Sequence, residues 1–248
     1  MTEQIESRMG DAAERDLSYV AKNYRIVTDT LREALKSALR DENDTTVMAA
    51  IKSADTDEIR YLTEVLGVRD IGENRVQQLL SRYDELKTMP ARLHFIGSLQ
   101  TNKVKYIIDK VEMIHSCDSL RLAAEIDKQA EKHGIVMKVL AEINIGEEES
   151  KGGILLREAE EFCLAVDALP HLRLCGVMTM APKLENREEY RVYFRKTRDE
   201  AVRIFRDVLH RDAPPVLSMG MSESYPEAAM EGATIVRVGR MLFAKDEG

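Results

Sequence analysis

Between residues 17 and 38, apolar side chains recur at steps of three and four: Leu17, Val20, Tyr24, Val27, Leu31, Leu35 and Ala38. That spacing lays them along one face of a helix, because an α-helix completes a turn in about 3.6 residues. The turn formers of "RDENDTT" then break the pattern. From Thr45 onward short apolar runs alternate with helical periodicity. The runs predict eight strands: "TTVMAAIK" (45–52), "VRDIGEN" (68–74), "RLHFIGS" (92–98), "EMIHSC" (112–117), "IVMKVLAEINI" (135–145), "LRLCGVMTM" (172–180), "PVLSMGM" (215–221) and "TIVRVGRMLF" (234–243).

Helical patterns fill most of the gaps. In "TDEIRYLTEVLG" the residues Ile59, Leu62 and Leu66 share a face, with Asp57 and Glu58 in the electropositive first turn. A long helix is expected from about Asn186 to His210, with Tyr193, Ala201, Ile204 and Phe205 inside. Strands alternating with helices imply parallel pairing through right-handed crossovers. Eight such units fit an α/β fold of the closed (β/α)8 TIM-barrel type better than an open sheet. An open doubly wound sheet would carry a glycine-rich fingerprint after its first strand, and "AAIKSADT" contains no glycine. The chain is therefore expected to form a single domain over 1–248, with an N-terminal helical segment at 1–42 and the barrel at 43–248. No eighth barrel helix is visible after the last strand, and the N-terminal helix is expected to cover that position.

Composition narrows the function without naming it. The 248 residues are 44% apolar and 32% charged, as in ordinary globular proteins. No apolar run reaches membrane-spanning length, and the polar, acidic start lacks the features of a secretory signal. A formal charge of −8 argues against general nucleic-acid binding, which needs a basic surface. Cys117, Cys163 and Cys175 are odd in number and form no CxxC pair, which suits reduced, mostly buried thiols in a cytoplasmic protein. The five histidines show no HxH or HExxH spacing, so no metal site is expected. The nucleophile-elbow pattern GxSxG is also absent.

In a barrel of this kind the active face lies at the strand C-termini. The first strand ends on Lys52. Its amine either snorkels to solvent or is desolvated, so that a neutral amine can form a Schiff base with an aldehyde or ketone. After the seventh strand, Gly220 and Ser222 precede a helix with Pro226 near its start, and the eighth strand brings Gly239. Loops after strands seven and eight commonly hold phosphate, although two ordinary turns would read the same way. A lysine facing such a cradle suits a ligand with a carbonyl at one end and a phosphate at the other. Pyridoxal 5'-phosphate satisfies both, and so does a phosphosugar on a Schiff-base aldolase. Arg237 shares a strand face with Gly239. Its partner is either the pyridine nitrogen of the cofactor, which it would keep unprotonated, or a carboxylate.

The segments "IGENRVQ" (71–77), "HFIGSLQTNK" (94–103), "GVMTMAP" (176–182) and "LSMGMSESYPEAAMEGATIVRVG" (217–239), with the strand-end Lys52, together resemble the pyridoxal phosphate homeostasis proteins. Those proteins are similar to the N-terminal barrel of alanine racemase. The resemblance runs in order over nearly the whole chain. It implies a fold-type III barrel holding pyridoxal 5'-phosphate on Lys52 as an internal aldimine. It implies phosphate contacts from Ser222 and the backbone around Gly239 and Arg240. Asn74 and Arg237 would lie near the ring, with Met219 and Gly220 beside it. The chain departs from the family in having Ile51 before the lysine, Ser53-Ala54-Asp55 after it, and Arg240 where a small residue is usual.

Racemases of this fold add a β-rich domain that supplies a catalytic tyrosine to a partner's site, and this chain ends five residues after Phe243. Two-base racemisation needs a proton-transfer group on each face of the substrate, and no partner for Lys52 stands out. The expectation is a cytoplasmic, monomeric cofactor carrier that maintains the pyridoxal phosphate supply, with no catalytic residue of its own. Apo pyridoxal phosphate enzymes would be its recipients, and no nucleic acid or membrane its partner. A low-activity amino-acid racemase is the alternative.

Overall fold

Eight parallel strands close into a barrel in the computed structural model, which describes residues 16–148 and 152–245. Residues 1–15 of the expected N-terminal helical segment, and residues 246–248, lie outside the described residues. The strands are β1 (Thr46–Ala50), β2 (Asp70–Glu73), β3 (Arg92–Phe95), β4 (Met113–Cys117), β5 (Met137–Ile143), β6 (Leu172–Thr179), β7 (Val216–Met221) and β8 (Ile235–Val238). Each pairs with its sequence neighbour, and β1 pairs with β8 from Thr46 opposite Ile235 to Ala49 opposite Val238. That last pairing rules out the open doubly wound sheet.

The helices are α1 (Ser18–Ser37), α2 (Thr56–Arg60), α3 (Val76–Leu86), α4 (Leu120–His133), α5 (Ala159–Asp167), α6 (Arg187–Arg203), α7 (Tyr225–Met230) and α8 (Arg240–Phe243). The expected stripe on α1 is real: Val20, Val27, Leu31 and Leu35 are buried, and such side chains contribute roughly 1.5–3 kcal/mol each when fully removed from water. Among the described residues, β8 is followed by the single turn of α8. The α1 helix packs against α7 and α8, and Asn23 donates to the carbonyls of Leu242 (3.3 Å) and Ala244 (2.8 Å). The long sixth helix begins where expected, with Asn186 capping the Glu188 amide. Its inner face is carried by Tyr190, Phe194, Thr197 and Ala201, continued by Ile204 and Phe205 in the wider turn that follows, while Tyr193 is only partly buried. The expected face was thus one step out of phase at its start.

Two apolar regions result. The main core lies between the sheet and the surrounding helices. Inside the barrel sit two smaller clusters, Met48 with Ala50 and Ile96, and Met113 with Leu140 and Met178. Between them the interior is polar, with Asp70, His94, His115, Ser218 and Arg237 all buried. Cys117 and Cys163 are buried and Cys175 partly so, all as free thiols. Burial pushes Cys163 up to about 12 and Cys117 still further, which keeps both unreactive.

Candidate functional site

Lys52 does not end a strand. The β1 strand stops at Ala50, and Ile51–Ser53 form one turn of 3-10 helix. Side chains from α3 fix that turn. Arg82 donates to the carbonyls of Ala54 (2.9 Å) and Ile51 (2.8 Å), and Gln78 donates to the carbonyl of Lys52 (2.8 Å). Arg82 also pairs with Glu73, whose carboxylate is fully buried at the end of β2. A buried carboxylate thus anchors the arginine that holds the lysine's backbone. The Lys52 side chain itself is exposed, so of the two placements open to its amine the structure shows the one that reaches solvent. Ending the strand two residues early turns the side chain out toward the mouth of the barrel.

That mouth contains a cavity of about 430 Å³, within the roughly 300–1,000 Å³ usual for small-molecule sites. Lys52, Ser222, Arg237, Gly239 and Arg240 line it. The sequence reading missed Lys183, Tyr190 and Glu223, which also line it. Four of these residues, Lys52, Lys183, Arg237 and Arg240, carry positive charge, against the carboxylate of Glu223. A cationic cavity in a chain of net charge −8 concentrates anions locally. The helices α7 and α8 both start at its rim, and the first amides of a helix have no partner within the helix. Arg240 reaches across to Glu223 at 2.7 Å, in a pair exposed to solvent.

Asn74, Met219 and Gly220 lie outside this lining. Met219 is buried in the main core. Gly220 has φ +88°, and a Cβ there would come within 2.5 Å of Ala228 Cβ, so it serves the turn from β7 into α7. The same logic applies at Gly239, which also lines the cavity. Its missing Cβ makes room for β1, because one placed there would meet the Ala50 carbonyl at 2.7 Å. Asn74 is half-buried beside Glu73, and its Oδ1 is buried with no hydrogen-bond partner among the described residues. An unspent acceptor of that kind is costly unless a ligand satisfies it.

Arg237 points into the barrel, as expected. Among the described residues no carboxylate pairs with it, and it is only 4% exposed although it lines the cavity. Its Nη1 donates to the Ser218 carbonyl (2.6 Å) and hydroxyl (2.8 Å), and its Nη2 to the Thr179 carbonyl (3.0 Å). Burial lowers its pKa to about 10, partly offset by the charge of Glu142, so the guanidinium stays cationic at neutral pH. Glu142, near the end of β5, is itself pushed up to about 7 by burial and by the charge of Asp118, with Arg237 pulling the other way. An amine among several cations suits a small anionic carbonyl compound. Among the described residues, no cluster of three histidine, cysteine, aspartate or glutamate side chains could hold a metal. No helix among them is long and apolar enough to cross a membrane.

Known proteins agree with this chemistry. The family model for the alanine racemase N-terminal domain matches residues 17–246. A pyridoxal phosphate homeostasis protein of Aquifex aeolicus is 44% identical over 222 residues, covering 88% of this chain and 95% of the relative. Another, from Pseudomonas aeruginosa, is 32% identical over 233 residues, with 94% and 98% covered. The structure of PipY from Synechococcus elongatus, solved with pyridoxal phosphate bound, superposes with a TM-score of 0.75 at 29% identity, covering 88% of this chain and all of PipY.

Proposed function

The chain belongs to the pyridoxal phosphate homeostasis proteins, within the alanine racemase N-terminal domain family, and from that premise we propose that it binds pyridoxal 5'-phosphate and carries it on Lys52. The observation that carries this reading is the cavity that brings Lys52 together with Ser222, Arg237, Gly239 and Arg240. The cofactor supplies an aldehyde, which condenses with the Lys52 amine to a C=N bond with loss of one water, and a phosphate for the opposite rim. Ser222 and Arg240 hold the phosphate with the first amides of α7 and α8. Arg237 faces the ring nitrogen, and Asn74 offers its free Oδ1 to the ring substituents. Ser222 takes this role from the turn after β7, while Met219 and Gly220 shape that turn from behind.

The reading is of a carrier, not a catalyst. Tyr190 is the lining residue nearest in kind to a racemase acid, but its hydroxyl accepts from the Leu184 amide at 3.0 Å and donates to the Leu184 carbonyl. It is spent on holding the loop after β6. An exposed mouth suits a protein that takes up and gives away its ligand. We take the protein as a cytoplasmic monomer, one domain over 1–248, that passes cofactor to apo enzymes.

Borohydride reduction of the loaded protein followed by peptide mass mapping tests the site. A phosphopyridoxyl group on the Lys52 peptide is the expected result, and a label confined to Lys183 or another lysine would overturn it. Incubation with single-enantiomer amino acids tests the role. Stereochemical turnover that disappears in Lys52→Ala would replace the carrier with a racemase.

A further inference from the structure

A continuous line of hydrogen bonds crosses the barrel interior behind Arg237. The Ser218 hydroxyl, which accepts from Arg237, lies 3.0 Å from His115 Nδ1. His115 Nε2 lies 3.1 Å from His94 Nδ1, and His94 Nε2 lies 3.0 Å from Asp70 Oδ1. Arg92, on the exposed N-terminal rim, clamps Asp70 with two bonds of 2.7 Å. Five strands thus contribute one link or more: β2, β3, β4, β7 and β8.

The proton inventory gives the line a direction. Burial pushes Asp70 up, but the bonds from His94 and Arg92 outweigh it and hold the group below the usual carboxylate range, so it accepts. His94 therefore donates from Nε2. Complete burial, with the charges of His94 and Arg237, holds His115 well below the usual histidine value, so one of its nitrogens donates and the other accepts. If Nε2 of His115 donates to His94, Nδ1 receives the Ser218 proton, and the Ser218 oxygen receives from Arg237. Every group is then satisfied. Reversing the histidines would give the Ser218 oxygen two donors and leave its own proton without an acceptor among the described residues.

We propose that Ser218, His115 and His94 are positioning residues, which lock the Arg237 guanidinium to Asp70 from behind so that its remaining N–H groups face the cofactor ring. The inference rests on the function proposed above. Arginine has five donors, and its bonds to Ser218 and Thr179 fix the plane of the group. A guanidinium held in this way cannot swing aside or hand its charge to solvent. Hydrogen bonding at the ring nitrogen tunes the electronics of a bound cofactor. The line therefore sets the absorption spectrum of the loaded protein as well as its affinity.

The test compares wild type with Ser218→Ala, Ser218→Thr and Arg237→Met, alone and combined, during titration with pyridoxal 5'-phosphate. Ser218→Ala is expected to redistribute intensity between the visible and near-ultraviolet bands and to weaken binding about tenfold, as when a hydrogen bond to a charged group is lost. Ser218→Thr restores the hydroxyl and is expected to restore the spectrum. In the Arg237→Met background, Ser218→Ala is expected to change the spectrum no further. A wild-type spectrum and affinity in Ser218→Ala would overturn the inference while leaving the function intact. An effect undiminished without Arg237 would do the same. Absence of any bound-cofactor band in the wild type would overturn both. Nitrogen-15 NMR of the protein before loading reads the line directly: an Nε2–H is expected at His94 and at His115, and a ring with its Nε2 bare at either position would overturn the assignment.

Discussion

Glu142 provides the sharpest prediction of pH-dependent stability. Its carboxyl, 5% exposed in the barrel, is raised from an ordinary 4.5 to about 7 by burial and by Asp118, against the pull of Arg237. Below pH 4.5 the group is protonated in folded and unfolded chains alike, and the native state bears no penalty. As the pH rises toward 7 the unfolded chain ionises first, so stability is lost until the folded group ionises too. Each pH unit between the two values is worth about 1.4 kcal/mol, which gives about 3 kcal/mol at pH 8. Glu142→Gln keeps the shape and cannot ionise. Urea unfolding of the cofactor-free proteins should show the glutamine variant more stable than wild type by about 2–3 kcal/mol at pH 8. In a chain of this size that is worth roughly 4–12 °C in melting temperature. At pH 4 the two should agree within about 0.5 kcal/mol, the scatter of a neutral substitution. A difference that does not vary with pH, or a wild type that gains on the variant as the pH rises, would refute the reasoning.

Two further substitutions separate scaffold from site. Arg82→Ala leaves the Glu73 carboxylate buried without its cation and frees the turn that carries Lys52, so urea unfolding should show a loss of about 3–5 kcal/mol. Trapping of cofactor on Lys52 by borohydride should fall with it, and Arg82→Lys should recover only part of either. Arg240→Ala should be nearly silent in the unfolding assay, within about 0.5 kcal/mol, because its pair with Glu223 is solvent-exposed. Its cofactor affinity should nevertheless drop and become less sensitive to added salt, which titrations at two ionic strengths would show.

The barrel was legible because apolar runs of strand length stood at regular intervals between helical stripes. Strand ends were less so. The run "TTVMAAIK" continues apolar through Ile51, and nothing local says that the backbone tightens there. The cause lies in Arg82 and Gln78, one helix later, whose donors need the turn's carbonyls. The cavity was legible in part, because Arg237 stands in a strand and Lys52, Ser222 and Gly239 fall within two residues of a strand's end. Lys183 lies in the loop after β6, and loops carry no periodicity, while Tyr190 falls on the buried stripe of α6 and reads as core. The interior line was the least visible. Asp70, His94, His115 and Ser218 read as isolated polar residues, and no recognisable spacing links the histidines to one another. Their signal was position: each stands inside a strand, where an inward-facing polar group must find a partner within the barrel.

The closing pair of strands has a consequence in time. Lys52 follows β1, and Arg237 stands in β8, the strand that seals the barrel against it. During synthesis Lys52 emerges early, and the residues of β8 that share its cavity emerge much later. The growing chain therefore displays a lysine with nothing around it to favour one aldehyde over another. The cavity that joins Lys52 to Arg237, Gly239 and Arg240 closes only when β8 docks against β1.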